Sequence, residues 1–307
     1  MSRTEVQPAT TLTSDRLAVA ARDGLHLGRQ TLGGLAGRQI TSIAPDGDSL
    51  WVLVERSELF HVETGGVERI AALDAPGGVC VHAHRGRVFV GGDNAGLWVL
   101  EHDVLEPVDS FGEAPTRSEW HTPWGGPPAV FSMASHDDDL YVSVHVGGIL
   151  HTSDGGQTWE ATIDLHEDVH QVAVDAGTGA VWAATGTSGL AESTDRGRTW
   201  AHHTDGLHAT YLLAVACTSA GVLVGASSGH AGRDGVVYLF DGTRFRRPEG
   251  LPDDLGGAVA PRHLAGEGDR AAVVTPDGSL YMSDDGGRRW RHAGGPLPSP
   301  AEVRITP

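Results

Sequence analysis

Histidine is the residue type in this sequence with the clearest capacity for chemistry. The chain has 17 histidines among its 307 residues, and imidazole is the commonest protein ligand of zinc and also binds copper, iron and nickel. Four histidines fall in predicted connections or at the start of a predicted strand, in adjoining parts of the chain. The predicted ligands of a copper, iron or zinc ion are His121, His145, His170 and His208. A metal-free alternative keeps His170 or His208 as a general base.

Carboxylates and aromatic residues near these histidines would complete such a site. Glu119, Glu167 and Asp168 are close enough in sequence to accept a hydrogen bond from a ligating imidazole and so orient it, or to supply a carboxylate ligand. An apolar wall beside polar groups is typical of a small-molecule pocket. The predicted pocket residues are Trp120, Trp124, Tyr211, His230 and His263. The competing interpretation is that each histidine bonds only to backbone, and each carboxylate only to solvent.

Ligands so far apart in sequence can meet only if the fold brings them together, and a repeated octapeptide indicates the fold. Residues 152–159 (TSDGGQTW) and 193–200 (STDRGRTW) share one pattern, and residues 283–290 (SDDGGRRW) repeat it with Arg289 in place of Thr. In each copy Asp and Ser or Thr can hold a tight turn and Trp can begin the next strand as an apolar anchor. A period near 40 to 45 residues in a strand-rich sequence is typical of propeller blades.

The pattern S/T-x-D-x-G-x-T-W resembles the Asp box, also called the BNR repeat, of sialidases, sortilin-type receptors and photosystem assembly propellers. The resemblance implies a hairpin on the outer side of a blade. In that family the motif is structural, so it points to a fold and not to an activity.

Short apolar runs separated by turn residues predict four-stranded units along the whole chain. The first unit, from Leu17, is incomplete, and the strand-like tail at residues 301–306 otherwise has no partner. We therefore predict an all-β fold, a seven-bladed β-propeller closed by its N- and C-terminal strands, with residues 1–307 as a single domain. Residues 1–15 are predicted to be an N-terminal arm, and residues 111–128 an insertion on the ligand face.

The propeller architecture predicts that the candidate histidines share one face. The link between the second and third strands of a blade and the link to the next blade emerge at the same end of the channel. His121, His170, His208 and His263 belong to links between blades or to the strand starts that follow them. His145 and His230 belong to links between second and third strands.

Composition bears on partners and location. The net charge is −18, which disfavours nucleic acid and anionic lipid as partners because both are polyanionic. The N-terminus has no signal-peptide core, and no apolar run approaches the roughly 20 residues that span a bilayer. The sequence thus predicts a cytoplasmic protein with neither a nucleic-acid nor a membrane partner, acting on a small molecule.

Three functions remain open at this level. The first is a metal-dependent enzyme, oxidative if the metal is copper or iron and hydrolytic or eliminating if it is zinc. The second is a non-catalytic interaction or assembly propeller. The third is a sialidase-like glycosidase, which needs a three-arginine clamp that Arg56, Arg117, Arg233 and Arg262 do not visibly match. The residues leave the substrate, the metal and the oligomeric state open.

Overall fold

The computed structural model describes residues 17–28, 30–122 and 124–306. Within them, 28 strands form seven four-stranded antiparallel sheets arranged in a ring, so the prediction of a seven-bladed β-propeller is confirmed. The predicted N-terminal arm, residues 1–15, lies outside the described residues. The strands of the first blades are β1 (Leu17–Ala21), β2 (Gly24–Leu27), β3 (Gln30–Thr31), β4 (Ile40–Asp46), β5 (Ser49–Val54), β6 (Glu58–Glu63), β7 (Gly66–Ala72), β8 (Gly78–His84), β9 (Arg87–Gly92), β10 (Leu97–Glu101) and β11 (Val104–Pro107).

The remaining strands follow a link that carries most of the helical structure. That link includes helix α1 (Asp109–Gly112) and a 3-10 turn at Arg117–Glu119, and a further 3-10 turn lies at Gly33–Leu35. In the described part of the chain, no helix has the length and hydropathy to cross a membrane. The later strands are β12 (Val130–His136), β13 (Asp139–Val144), β14 (Gly148–Thr152), β15 (Glu160–Ala161), β16 (Val169–Val174), β17 (Val181–Thr185), β18 (Leu190–Ser193), β19 (Ala201–His203), β20 (Tyr211–Thr218), β21 (Gly221–Ser227), β22 (Val236–Phe240), β23 (Phe245–Arg246), β24 (Leu264–Glu267), β25 (Arg270–Val274), β26 (Leu280–Ser283), β27 (Arg291–Gly294) and β28 (Glu302–Ile305).

The ring closes through the C-terminal strand. Blade one has the strand order β28-β1-β2-β3, and blades two to seven are the successive groups of four strands from β4 to β27. Strand β28 pairs antiparallel with β1, with Ile305 opposite Leu17 and Glu302 opposite Ala20. This confirms that the tail completes the short first unit, which removes the exposed edge that each would otherwise present.

Both faces of each blade are apolar, and this is why the sheets stack around an axis. The buried residues form seven clusters, and each cluster joins two neighbouring blades. In the cluster between blades one and two, for example, Leu25 packs with Ile43 and Val52. A sheet with two buried faces needs a neighbour on each side, and a closed ring supplies both.

The innermost strands carry a repeated irregularity at one end of the channel. In blades two to six the second or third residue of the innermost strand forms a β-bulge, which turns its side chain out of the regular pattern. The bulged residues are Thr41, Val79, Phe131, His170 and Leu213.

The residue after each bulge commonly bonds to the next blade. Ser42 Oγ accepts from Val81 N at 3.0 Å and Ser132 Oγ accepts from Val172 N at 2.9 Å, so each hydroxyl satisfies a backbone N–H on the neighbouring innermost strand. Gln171 Nε2 donates to a neighbouring carbonyl in the same way, at 2.9 Å. These bonds hold the innermost strands in a common register around the channel, since buried backbone groups need partners.

The three octapeptides form the hairpins between the third and fourth strands of blades four, five and seven. Asp195 Oδ1 accepts from Thr199 N at 2.9 Å, and Thr199 Oγ1 donates to Asp195 Oδ2 at 2.7 Å. Asp154 binds Thr158 in the same manner. In the third copy Asp285 accepts from the backbone N of Arg289, but no hydroxyl is present there to add the second bond.

These aspartates make the fold sensitive to acid. The backbone N–H and the hydroxyl of Thr199 lower the pKa of Asp195 to about 2, and the hydroxyl and backbone N–H of Thr158 lower that of Asp154. The pKa of Asp285 is also lowered, mainly by the backbone N–H of Arg289. A carboxylate whose folded pKa lies below its unfolded value stabilises the fold above the unfolded pKa and loses that contribution as the pH falls through the folded pKa.

We therefore expect the double variant Asp154→Asn, Asp195→Asn to melt at a lower temperature than the wild type at pH 6. The difference should narrow as the pH falls from about 4 to about 2, because the unfolded wild type then binds protons at these carboxylates before the folded protein does, and the stability they contribute is lost. Thermal unfolding followed by circular dichroism between pH 6 and pH 2 measures it. The control is Asp284→Asn, which removes an exposed carboxylate. A difference in melting temperature between wild type and double variant that stays constant with pH would contradict the prediction.

Candidate functional site

Three connections meet at the end of the channel where the innermost strands begin. They are the links between β11 and β12, between β13 and β14, and between β15 and β16. His121 N donates to Val146 O at 2.9 Å and Val146 N donates to His121 O at 3.1 Å. Val146 also forms a bridge with Asp168. The middle link is thus held between the other two, which places residues from blades four and five side by side.

Asp168 lies between two imidazoles at this point. Its Oδ1 is 2.9 Å from His145 Nε2, and its Oδ2 is 3.3 Å from His170 Nε2. The side chains of His145, Asp168 and His170 are 8%, 20% and 4% exposed. One ligand atom from each of the three lies within 4.8 Å of the other two. Two imidazoles and one carboxylate are a donor set that suits zinc and iron.

The hydrogen bonds around His170 show what this cluster requires. His170 Nδ1 lies 2.6 Å from Leu212 O, so Nδ1 carries a proton and donates it to that carbonyl. The neutral ring then has a lone pair on Nε2, which faces the carboxylate of Asp168. Two acceptors at 3.3 Å repel each other unless a cation, either a second ring proton or a metal ion, lies between them.

His145 adds to this requirement. Its Nδ1 is buried without a hydrogen-bond partner among the described residues, and so is Asp168 Oδ1 despite its short distance to the His145 ring. A contact of 2.9 Å that lacks hydrogen-bond direction leaves the carboxylate oxygen unsatisfied, and a buried unsatisfied polar atom costs free energy. A bound cation would satisfy it.

The electrostatic environment keeps the carboxylate ionised. Burial by itself raises the pKa of Asp168, but the contacts with His145 and His170 lower it, and the net shift is downward. Burial raises the pKa of Tyr211, and the Asp168 charge raises it further, so the tyrosine hydroxyl stays protonated at neutral pH. The site therefore offers a negative ligand next to a neutral hydroxyl donor.

Glycines allow the cluster to assemble. Gly186 N donates to Asp168 O at 2.8 Å, and a Cβ at Gly186 would collide with the Asp168 carboxylate. On the other side a Cβ at Gly147 would lie 2.8 Å from the ring of Trp120. Only glycine allows these close approaches, so both positions help to set where Asp168 and the link after His145 lie.

Aromatic rings border the cluster. The Trp124 ring meets His145 edge to face, with centroids 5.4 Å apart, and Trp124 is 75% exposed. Phe131, the bulged residue of blade four, lies 4.6 Å from His145, and Tyr211 lies 4.9 Å from His170, both between ring centroids. The candidate metal ligands thus have apolar walls and an exposed indole at the rim, as a small-molecule pocket would.

Of the four predicted ligands, the structure brings together His145 and His170. His121 is adjacent through its backbone, but its Nδ1 donates to Glu119 O at 2.8 Å and its ring is not one of the three grouped ligands. His208 lies elsewhere: its Nδ1 is 3.1 Å from Tyr238 Oη and its Nε2 is 3.5 Å from Asp234. The third donor is Asp168, which was expected either to orient an imidazole or to act as a carboxylate ligand.

The other predicted residues have varied surroundings. Trp120 is buried and donates through Nε1 to Thr116 Oγ1 at 3.1 Å, and its ring packs against Gly147. Glu167 Oε2 accepts from Ser188 Oγ at 3.1 Å, and its Oε1 is buried with no partner in the part of the chain that the structure describes. Glu119 and His230 are exposed. Burial and then Arg262 lower the pKa of His263 to about 4, so that ring is neutral.

Phe131 and Gly186 were not among the predicted site residues. An apolar residue at the start of an innermost strand and a glycine after a strand have no signal that separates them from their equivalents in other blades. The bulge and the close approach become visible only in three dimensions. Among the arginines considered for a sialidase-like clamp, Arg56 pairs with Asp93, and Arg117 donates to Asn94 O at 2.7 Å.

No protein-family model matches this sequence, and no curated protein is significantly similar to it. Among solved structures, a GH74 xyloglucanase from Xanthomonas campestris superposes with a TM-score of 0.59 at 15% identity, covering 82% of this chain and 45% of that one. A chain of a mitotic checkpoint complex gives 0.60 at 12% identity (95% and 87% covered), and YCF48 from Cyanidioschyzon merolae gives 0.54 at 16% (85% and 86% covered). The present chain spans less than half of the xyloglucanase. At these identities the similarity shows the fold alone, and that fold is the β-propeller.

Proposed function

We propose that this protein is a metal-dependent enzyme that acts on a small molecule, with a divalent copper, iron or zinc ion held by His145, Asp168 and His170. The observation that carries the proposal is the Asp168 carboxylate facing Nε2 of both His145 and His170, while the Nδ1 proton of His170 is donated to the carbonyl of Leu212 and so leaves Nε2 available as a ligand atom. Three protein ligands leave coordination positions free for substrate or water, as in catalytic metal sites.

Several residues around the three ligands would have separate roles in the reaction. The carbonyl of Leu212 orients His170 by accepting its Nδ1 proton, which fixes the tautomer that presents Nε2. Tyr211 supplies a neutral hydroxyl, and Trp124 offers an exposed ring on which a flat part of a substrate can stack. A bound metal would supply Lewis acidity, and also redox chemistry if it is copper or iron. Oxidation or oxygenation fits those two metals, whereas hydrolysis or elimination fits zinc.

Metal analysis of the purified protein tests the proposal. After loading with Zn²⁺ or Fe²⁺ and removal of excess ion, we expect one metal per chain in the wild type. His170→Ala should bring this close to zero, whereas His208→Ala, which removes a ring outside the cluster, should leave it unchanged. Equal metal content in all three proteins would contradict the proposal. A wild type that binds no metal would also contradict it, and would favour a non-catalytic interaction or assembly propeller.

The family resemblance of the octapeptides is a separate inference. We infer that residues 152–159, 193–200 and 283–290 are Asp boxes. The support is that the Asp of each copy accepts the same backbone N–H four residues later, at 2.9 to 3.0 Å. This concerns the architecture and leaves the proposed chemistry unchanged.

A further inference from the structure

A cavity occupies the end of the channel opposite the candidate metal site. Its volume is about 840 Å³, within the range of cavities that bind small molecules. In blade five its wall runs from Gln171 to Thr178, so it begins one residue beyond His170 and extends away from the candidate metal site. The corresponding parts of the innermost strands of blades four, six and seven complete much of the wall.

Arg262 closes the inner end of this cavity. It comes from the link before β24 in blade seven, and its Nη1 reaches across the channel to Val79 O of blade three at 2.5 Å. Its backbone N donates to Gln171 Oε1 at 2.8 Å, and Gln171 in turn donates to Val215 O. These bonds connect blades three, five, six and seven, so the side chains form a layer that separates the cavity from His170.

The charges in this layer do not balance. Glu302 is fully buried and accepts from Ser42 Oγ at 2.6 Å and from Arg304 Nε at 2.6 Å, so Arg304 neutralises it. Arg262 Nη1 is 3.9 Å from the same carboxylate, and Arg262 Nε is buried without a hydrogen-bond partner among the described residues. Two guanidinium groups therefore share one carboxylate, which leaves one positive charge and an unused donor at the inner end.

The other ionisable groups of the cavity do not cancel this charge. Burial, followed by Arg304 and His84, lowers the pKa of His82 to about 3, so His82 is neutral. Asp175 and Glu267 stand at the outer end, after β16 and at the end of β24, and Asp175 accepts three hydrogen bonds within its own turn. The positive charge is therefore deep in the cavity and the negative charges are at its mouth.

We propose that this cavity is a second ligand site, independent of the candidate metal centre, that binds a small organic monocarboxylate. Guanidinium groups suit carboxylates because they donate in parallel, and the donors available here belong to Arg262 and Arg304. One surplus positive charge matches a monoanion and not a phosphate dianion. The wall also includes apolar residues such as Met133, Val174 and Ile305, which suit an apolar body attached to the carboxylate.

The methionines of the chain provide a direct readout. Met133 lines the cavity, whereas Met282 packs between blades seven and one and is absent from the lining. With ¹³C-methyl methionine, titration with hexanoate should shift the Met133 signal in a saturable way and leave Met282 in place. Hexanamide, which has the same shape without the charge, should bind at least about 10-fold more weakly, since charged hydrogen bonds are the stronger kind.

Arginine variants test which positive charge binds the carboxylate. Arg304→Gln should weaken hexanoate binding roughly 10-fold or more, Arg304→Lys should weaken it less, and Arg291→Gln, an exposed arginine of an outer hairpin, should have no effect. The comparison of hexanoate with hexanamide uses only the wild-type protein, so it does not depend on whether the variants fold. No saturable Met133 shift by about 20 mM hexanoate, where a site with a Kd of roughly 1 mM would be nearly full, would overturn the proposal. Equal binding of hexanamide, or tighter binding of inorganic phosphate, would overturn it as well.

Discussion

Replacing Asp168 by alanine is expected to weaken the binding of a divalent metal at least about 100-fold. Loss of a residue that only orients a ligand already costs roughly 10- to 100-fold in affinity, and Asp168 contributes a donor atom and the only negative charge of the three-ligand group. The variant leaves two neutral imidazoles, which bind a divalent ion without charge neutralisation. Titration with Co²⁺, followed by its visible absorption and then by competition with Zn²⁺, gives the two affinities.

Neighbouring substitutions make this result specific. Asp168→Asn keeps a carbonyl oxygen at the site but no charge, so its affinity should lie between those of the wild type and the alanine variant. Glu167→Ala is the matched control, because Glu167 bonds to Ser188 and not to either imidazole. Far-ultraviolet circular dichroism should show that all three variants remain folded. An affinity of Asp168→Ala within about 3-fold of the wild type would rule out this metal centre.

The second large effect is expected on stability, from Glu302→Ala. Glu302 lies on the closing strand and is fully buried, and it accepts hydrogen bonds from Ser42 Oγ, Ile43 N and Arg304 Nε. Its removal leaves Arg304 without its carboxylate partner and a blade-two amide without an acceptor. Breaking a fully buried ion pair from one side typically costs about 3 to 5 kcal/mol, but the side chain of Arg304 is 33% exposed, so water offsets part of this cost. We expect a decrease of about 2 to 4 kcal/mol in the free energy of unfolding, measured with urea.

Two controls separate the buried charge from general effects. Glu249→Ala removes an exposed carboxylate that pairs with Arg289 on the surface, and it should change the free energy of unfolding by less than about 1 kcal/mol. Glu302→Gln keeps the volume and one acceptor oxygen, so it should be less destabilising than alanine. If Glu302→Ala were as stable as Glu249→Ala, the closing strand would not depend on this carboxylate.

The architecture was predictable from the sequence because its determinants are local. The octapeptides form their turns through bonds within a few residues, such as those between Asp195 and Thr199. Apolar alternation and turn residues likewise define each four-stranded unit. Even the long-range pairing of β28 with β1 could be predicted, since an incomplete first unit and an unpaired final strand each lacked the partner that the other offered.

The composition of the candidate site was not determined in this way. His145, His170 and His208 are equivalent in sequence terms, yet two of them face Asp168 and the third faces Tyr238. The difference arises from the bulge that redirects His170 and from the link around Val146, which is held between two other loops.

The sequence by itself therefore determined the number of blades, the closure of the ring and the end of the channel from which the candidate residues come. Only the tertiary structure decided which side chains meet there, and that Arg262 crosses the channel to close a separate cavity. The physical reason is that strand pattern depends on neighbours along the chain. Side-chain convergence depends instead on direction, register and packing between blades, which no short stretch of sequence contains.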